Sequence, residues 1–83
     1  MTKNTTVNIA MVTYNRLYFT KLAIESILTL TTHPHILTVV DNNSQDGTRD
    51  YLCELKRKGS IQNLFLLDEN VGLAKAANIA WLA

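Results

Sequence analysis

Ile36-Leu37-Thr38-Val39-Val40, followed at once by Asp41-Asn42-Asn43-Ser44-Gln45-Asp46-Gly47, is the stretch that decides how the chain is read. The apolar run is too short for a helix and rich in β-branched residues, so it reads as a buried strand. The cluster that stops it is dense in Asn, Asp, Ser and Gly, which are turn residues. Ser44 or Asp46 stands where it can cap a following helix. Tyr51, Leu52 and Leu55 give that helix a short apolar stripe. Lys56-Arg57-Lys58-Gly59 then ends it. Cations suit the negative end of the helix dipole, and glycine suits the left-handed residue after the last turn.

The same unit recurs on either side. Upstream, Val7-Asn8-Ile9-Ala10-Met11-Val12 is a second apolar run, broken by Thr13-Tyr14-Asn15-Arg16. A helical pattern over Leu17 to Leu30 follows, with Phe19, Leu22, Ala23, Ser26, Ile27 and Leu30 sharing a face, and the region of Pro34 ends it. Downstream, Leu64-Phe65-Leu66-Leu67 runs into Asp68-Glu69-Asn70. A last helix from about Gly72 to Ala83 carries Leu73, Ala76, Ala77, Ala80 and Trp81. Near-continuous apolar strands predict a sheet covered on both faces. Alternation with helices predicts parallel strands and right-handed crossovers. The fold class is therefore α/β: three β-α units forming part of a doubly wound, Rossmann-like parallel sheet.

Composition agrees with a globular chain: 83 residues, 47% hydrophobic and 18% charged. A net charge of +1 gives no field for nucleic acid or an anionic membrane. The single cysteine, Cys53, excludes an internal disulfide framework and a multi-cysteine zinc site. No apolar run approaches the roughly 20 residues of a membrane span, and the N-terminus lacks a signal peptide's apolar centre. A soluble, cytoplasmic protein is the expectation. A domain this small is marginally stable without staples, which points to part of a larger protein or to an oligomer.

In such sheets ligands bind beyond the carboxyl ends of the strands. All three ends are polar here, and neighbouring strands would gather them on one rim. Tyr14 offers a stacking face, and Asp41 and Asn42 offer acceptors for base N–H groups or ribose hydroxyls. Arg16 and Lys75 offer cations for phosphate, and the helix start near Gly72 offers backbone N–H groups to an anion. Those are the parts of a nucleotide pocket; the plain alternative is that strand ends are polar because they meet solvent. The fingerprint Gly-x-Gly-x-x-Gly and the Gly-rich phosphate loop are both absent. A dinucleotide oxidoreductase and a P-loop enzyme are thereby disfavoured.

Taken together, three blocks resemble family 2 glycosyltransferases of the GT-A fold. They are Val7 to Arg16; Val39-Val40-Asp41-Asn42-Asn43-Ser44-Gln45-Asp46-Gly47-Thr48; and Asn70-Val71-Gly72-Leu73-Ala74-Lys75-Ala76-Ala77-Asn78. The resemblance spans about Val7 to Ala83 and implies a nucleotide-sugar donor bound at this half of the domain. It implies that Val12, Thr13 and Tyr14 line the base, with Asp41 and Asn42 at the base and ribose. Many relatives carry Asp at the position of Asn42 and Arg at that of Ala77; Lys75 could supply the second lost charge. Uracil or thymine, hence a UDP- or dTDP-linked donor, is the base expectation. The family's Asp-x-Asp motif, which holds Mg²⁺ or Mn²⁺ on the diphosphate, and its catalytic base follow later in the domain. The expectation is a truncated domain: residues 1–83 as the nucleotide-binding portion, inactive alone, with a metal only in the full-length enzyme. Asp68-Glu69-Asn70 is not that motif. Polysaccharide biosynthesis is the implied setting, with membrane association left to the full-length enzyme. The rival reading is a non-catalytic nucleotide-binding or assembly module, either a complete small reading frame or a degenerate remnant. An incomplete sheet favours self-association through its open edges.

Other residues read plainly. His33 and His35 are exposed loop residues, Cys53 a buried or half-buried thiol, Lys56-Arg57-Lys58 a solvated helix end and Trp81 a core residue. Asn4-Thr5-Thr6 and Asn42-Asn43-Ser44 match the glycosylation sequon but lack a secretory context.

Overall fold

The structure is a computed structural model and describes residues 6–31 and 34–82. The elements run β1 (Val7–Thr13), α1 (Leu17–Leu30), β2 (His35–Asp41), α2 (Thr48–Lys58), β3 (Asn63–Leu66) and α3 (Leu73–Leu82). The strands form one sheet in the order β1-β2-β3, and both pairings are parallel. This is the α/β architecture that the alternating pattern predicts.

Alternation along the strands sends successive side chains to opposite faces. Ile9, Met11, Leu37, Val39 and Leu64 meet Ile24 of α1 and Leu52 of α2 on one face. Val12 and Val40 meet Ala76 and Ala80 of α3 on the other. Where the sheet grows from β1 to β3 its helices keep to one face; α3 then crosses to the other and packs back over β2 and β1. With right-handed crossovers, that switch of face is what doubles the winding.

The helix ends follow their chemistry. Gly59 closes α2 in the left-handed region at φ 86°, where a side chain would be strained, and its N–H reaches back to the last carbonyls. Arg57 and Lys58 pair with Glu54 on the exposed side. Lys21 of α1 sits over the Tyr51 ring, 5.5 Å from its centroid, closing the α1–α2 seam.

Several expectations need correction. The apolar stripe of α1 that faces inward is Thr20, Ile24, Ile27 and Leu28. Phe19 and Leu30 are 63% and 77% exposed, and Leu22, Ala23 and Ser26 are exposed with them. The helix is apolar nearly all round, so spacing alone could not choose the buried side. Coverage of the sheet is also uneven: Val7, Ile36, Phe65 and Leu66 remain exposed. Trp81 is 78% exposed because α3 seats its alanines, not its large side chains, against the sheet. Cys53 is exposed, on the outer side of α2. His35 is the half-buried first residue of β2. His33 and Asn4 lie outside the described residues.

Candidate functional site

The C-terminal ends of β1 and β2 are level, because Thr13 lies opposite Asp41 in the parallel register. Each helix starts just beyond its strand, so the three helix N-termini gather on the same rim. That rim is held by two polar networks, one on each face of the sheet.

The first is centred on Asp41, which is fully buried. Its Oδ1 accepts from Thr13 Oγ1 at 2.9 Å and from Ser44 Oγ at 2.6 Å. Its Oδ2 accepts from Ser44 N at 2.8 Å and lies 3.5 Å from Arg49 Nε. Burying a carboxylate is costly unless it is paired and hydrogen-bonded, and here both oxygens are. Arg49 also donates to Asn43 Oδ1 at 3.3 Å, which fixes a residue held in the left-handed region at φ 72°. Arg49 was not singled out in the sequence; the signal available was a cation in the first turn of α2, eight residues after the acid that ends β2.

Asn42 follows Asp41 and reaches the opposite side. Its Nδ2 donates to Asn70 Oδ1 at 3.0 Å, and its Oδ1 accepts from Val71 N at 2.9 Å. Asn70 Oδ1 also accepts from Gly72 N at 2.8 Å. The start of α3 is thus tied to the end of β2 by side-chain amides. The backbone N–H of Asn42 donates to Thr13 O at 2.8 Å, extending the β1–β2 pairing past the strand ends.

Asp46 joins the loops on the α1–α2 side. Its Oδ1 accepts from Thr48 N at 3.1 Å and Thr48 Oγ1 at 2.5 Å, and its Oδ2 accepts from Leu17 N at 3.0 Å. The Thr48 hydroxyl, with the amides of Leu17 and Thr48, holds this carboxyl below the ordinary carboxylate range. Asn15, at φ 47°, donates its N–H to Ser44 Oγ and accepts from Gln45 N.

The sequence-predicted residues therefore divide. Val12 and Asn42 lie on the α3 side, and Lys75 stands exposed in the first turn of α3. Thr13 and Asp41 turn to the α1–α2 side, with their polar side-chain atoms engaged inside the fold. Tyr14 stands just beyond β1, 45% exposed. Arg16 is exposed at the N-cap of α1, so the two candidate cations sit on helices packed against opposite faces.

The sequence that builds this rim and sheet matches a known family. The sequence profile described as glycosyl transferase family 2 covers residues 8–83. The chain belongs to that family. No curated protein matches it. Family 2 glycosyltransferases generally use nucleotide-sugar donors and divalent metals. Among the described residues no group of three or more His, Cys, Asp and Glu is placed to hold a metal ion. Asp41 is consumed by the fold, and Asp46 by two helix starts, so neither fits a metal-binding role here. Among those residues no helix is long and apolar enough to cross a membrane.

Proposed function

We propose that the rim binds the nucleotide part of a nucleotide-sugar donor, with residues 1–83 serving as the nucleotide-binding portion of a GT-A domain that transfers the sugar to an acceptor. The observation that carries this is the Asn42–Asn70–Val71 clamp, which seats the start of α3 beside the ends of β1 and β2. Neither α1 nor α3 has an acidic residue in its first turn, but the Leu17 amide at the start of α1 is already taken by the Asp46 carboxylate. The N-terminal amides of α3 and Lys75 are the natural seat for a diphosphate. Val12 and the exposed Tyr14 ring supply an apolar wall and a stacking face for the base.

Asn42, only 3% exposed, has a second amide N–H and a second oxygen lone pair beyond its bonds to Asn70 and Val71, and these are the groups proposed to meet a pyrimidine edge. A UDP- or dTDP-linked donor is the preferred class. Thr13 and Asp41 act from behind, holding the rim's shape, and Arg16 marks its outer end. The family's metal and catalytic base lie outside this set of residues, so the 83-residue chain is inactive by itself. The exposed, unpaired Cys53 suits a reducing, cytoplasmic compartment.

Titration with UDP, dTDP, ADP and GDP tests the reading. Base stacking contributes ~1–3 kcal/mol, so Tyr14→Ala should weaken UDP by about fivefold or more. No UDP binding by the wild type, or unchanged binding in Tyr14→Ala and Lys75→Ala together, would remove the pocket. Sustained sugar transfer by the 83-residue chain with Mn²⁺ would overturn its inactivity.

A second reading, an assembly module, is favoured by one feature. Tyr18, Phe19, Leu22 and Leu30 on α1 are exposed, as are Trp81 and Leu82 on α3, and β1 is an uncharged edge strand. Self-association would cover such surfaces. A monomer across the accessible concentration range in sedimentation velocity would exclude it.

A further inference from the structure

Helix α1 starts without help from its own sequence. Its N-cap is Arg16, which makes no side-chain capping bond, and its first turn holds no acidic residue. A cation at the positive end of a helix dipole is unfavourable. The missing acceptor arrives from the β2–α2 loop, where Asp46 Oδ2 takes the Leu17 N–H at 3.0 Å. The other oxygen of the same carboxylate serves the first residue of α2, Thr48.

We propose that Asp46 is a positioning residue of the nucleotide pocket: it clamps the starts of α1 and α2 together and thereby fixes Tyr14. This rests on reading the rim as the nucleotide site. Tyr14 sits between two anchored neighbours. The Thr13 carbonyl accepts from Asn42 N, and Asn15 exchanges hydrogen bonds with Ser44 and Gln45. Asn15 is at φ 47°, in the left-handed region that Asn enters more readily than most residues, and its bonds to Ser44 and Gln45 fix the turn there. The Asp46–Leu17 bond pins the chain on the far side of that turn. A carboxylate fits the task because it accepts on both oxygens and donates on neither. It also neutralises the starts of α1 and α2, which leaves the start of α3 as the one toward which an anion is drawn.

Asp46→Asn separates the two halves of the clamp. An amide can keep its single oxygen on Thr48, but it then turns an N–H₂ toward the Leu17 N–H. The control is Thr48→Val, which removes one bond to Asp46 and spares the Leu17 link. Each variant of the full chain is titrated with UDP, and its melting temperature is recorded. Asp46→Asn should lose about tenfold in UDP affinity, the scale of one hydrogen bond to a charged group. Thr48→Val should stay within about twofold on the same scale, even where its melting temperature falls as far.

Coupling is reciprocal, so UDP should also slow hydrogen exchange at the Leu17 amide of the wild type. That measurement decides the matter if Asp46→Asn does not fold. Equal UDP affinity in wild type and Asp46→Asn, affinity that simply tracks melting temperature across both variants, or Leu17 exchange indifferent to UDP would each overturn the clamp. If the wild type binds no UDP, the reading of the rim fails first, and the clamp's role in binding fails with it.

Discussion

On the face covered by α1 and α2, the side chains that meet are large: Ile24, Leu37, Val39, Leu52 and Ile61, none more than 1% exposed. On the face covered by α3 the buried residues are Val40, Ala76 and Ala80. Alanines let a helix approach a sheet closely but cover little of it. At about 0.8 kcal/mol per buried methylene, the first face supplies most of the apolar stabilisation. The second is held at one end by polar bonds from Asn42 and Asn70, and at the other it opens. There a concavity of about 220 Å³ lies between Asn8, Ile36, Thr38, Asn63 and Trp81. It sits toward the strand starts, away from the rim. One face therefore carries most of the stability, and the other carries the proposed diphosphate seat at the start of α3.

The largest expected effect is on the first face. Leu52→Ala removes a fully buried side chain from between α2 and the sheet. Such deletions cost ~2–5 kcal/mol, which approaches the whole stability of a small domain. Urea denaturation followed by circular dichroism should show the variant largely unfolded in buffer. A loss below about 1 kcal/mol would mean that the two faces share the load more evenly than their packing implies.

How much of this was legible depended on the kind of evidence each residue gave. The end of β2 and both ends of α2 announced themselves through turn chemistry: Asp41 to Gly47 and Lys58-Gly59 mark these boundaries in sequence. The buried face of α1 did not, because the stripe of Thr20, Ile24 and Ile27 is spaced in threes and fours just as the expected one of Phe19, Leu22, Ala23, Ser26, Ile27 and Leu30 is, and Ile27 belongs to both. Only packing against β1 and β2 chooses between them. At the rim, residue types were legible but directions were not. Asp41 and Asn42 are adjacent, so alternation sends them to opposite faces. The carboxylate spends itself on Thr13, Ser44 and Arg49, partners 28, 3 and 8 residues away in sequence. Trp81 looked like core because large aromatic residues usually are, yet the alanines occupy the inward positions of α3.

A medium effect is expected where α3 touches the sheet. Ala76→Leu forces a larger side chain into a fully enclosed contact beside Val40. Overpacking of this kind costs ~1–3 kcal/mol. It should lift α3, and with it the amides and Lys75 proposed to meet the diphosphate. Affinity for UDP should then fall further than stability does, measured by titration and by urea midpoint on the same sample. A variant that loses stability and keeps its affinity would separate the position of α3 from the pocket.

The smallest effect on stability is expected at Trp81, and there the contrast between the faces is sharpest. Its ring is among the largest side chains in the molecule and yet 78% exposed, beside the open end of the second face. If that face contributes little to folding, Trp81→Ala should change the unfolding free energy by no more than about 0.5 kcal/mol, as for an ordinary surface position. If the exposed apolar surface is what draws copies together, the same substitution should lower the sedimentation coefficient at high concentration toward that of a monomer. A stability loss above about 2 kcal/mol would instead show the ring packed in solution, because that is the range of a buried aromatic side chain. The second face would then be closed, and the asymmetry between the faces would not hold.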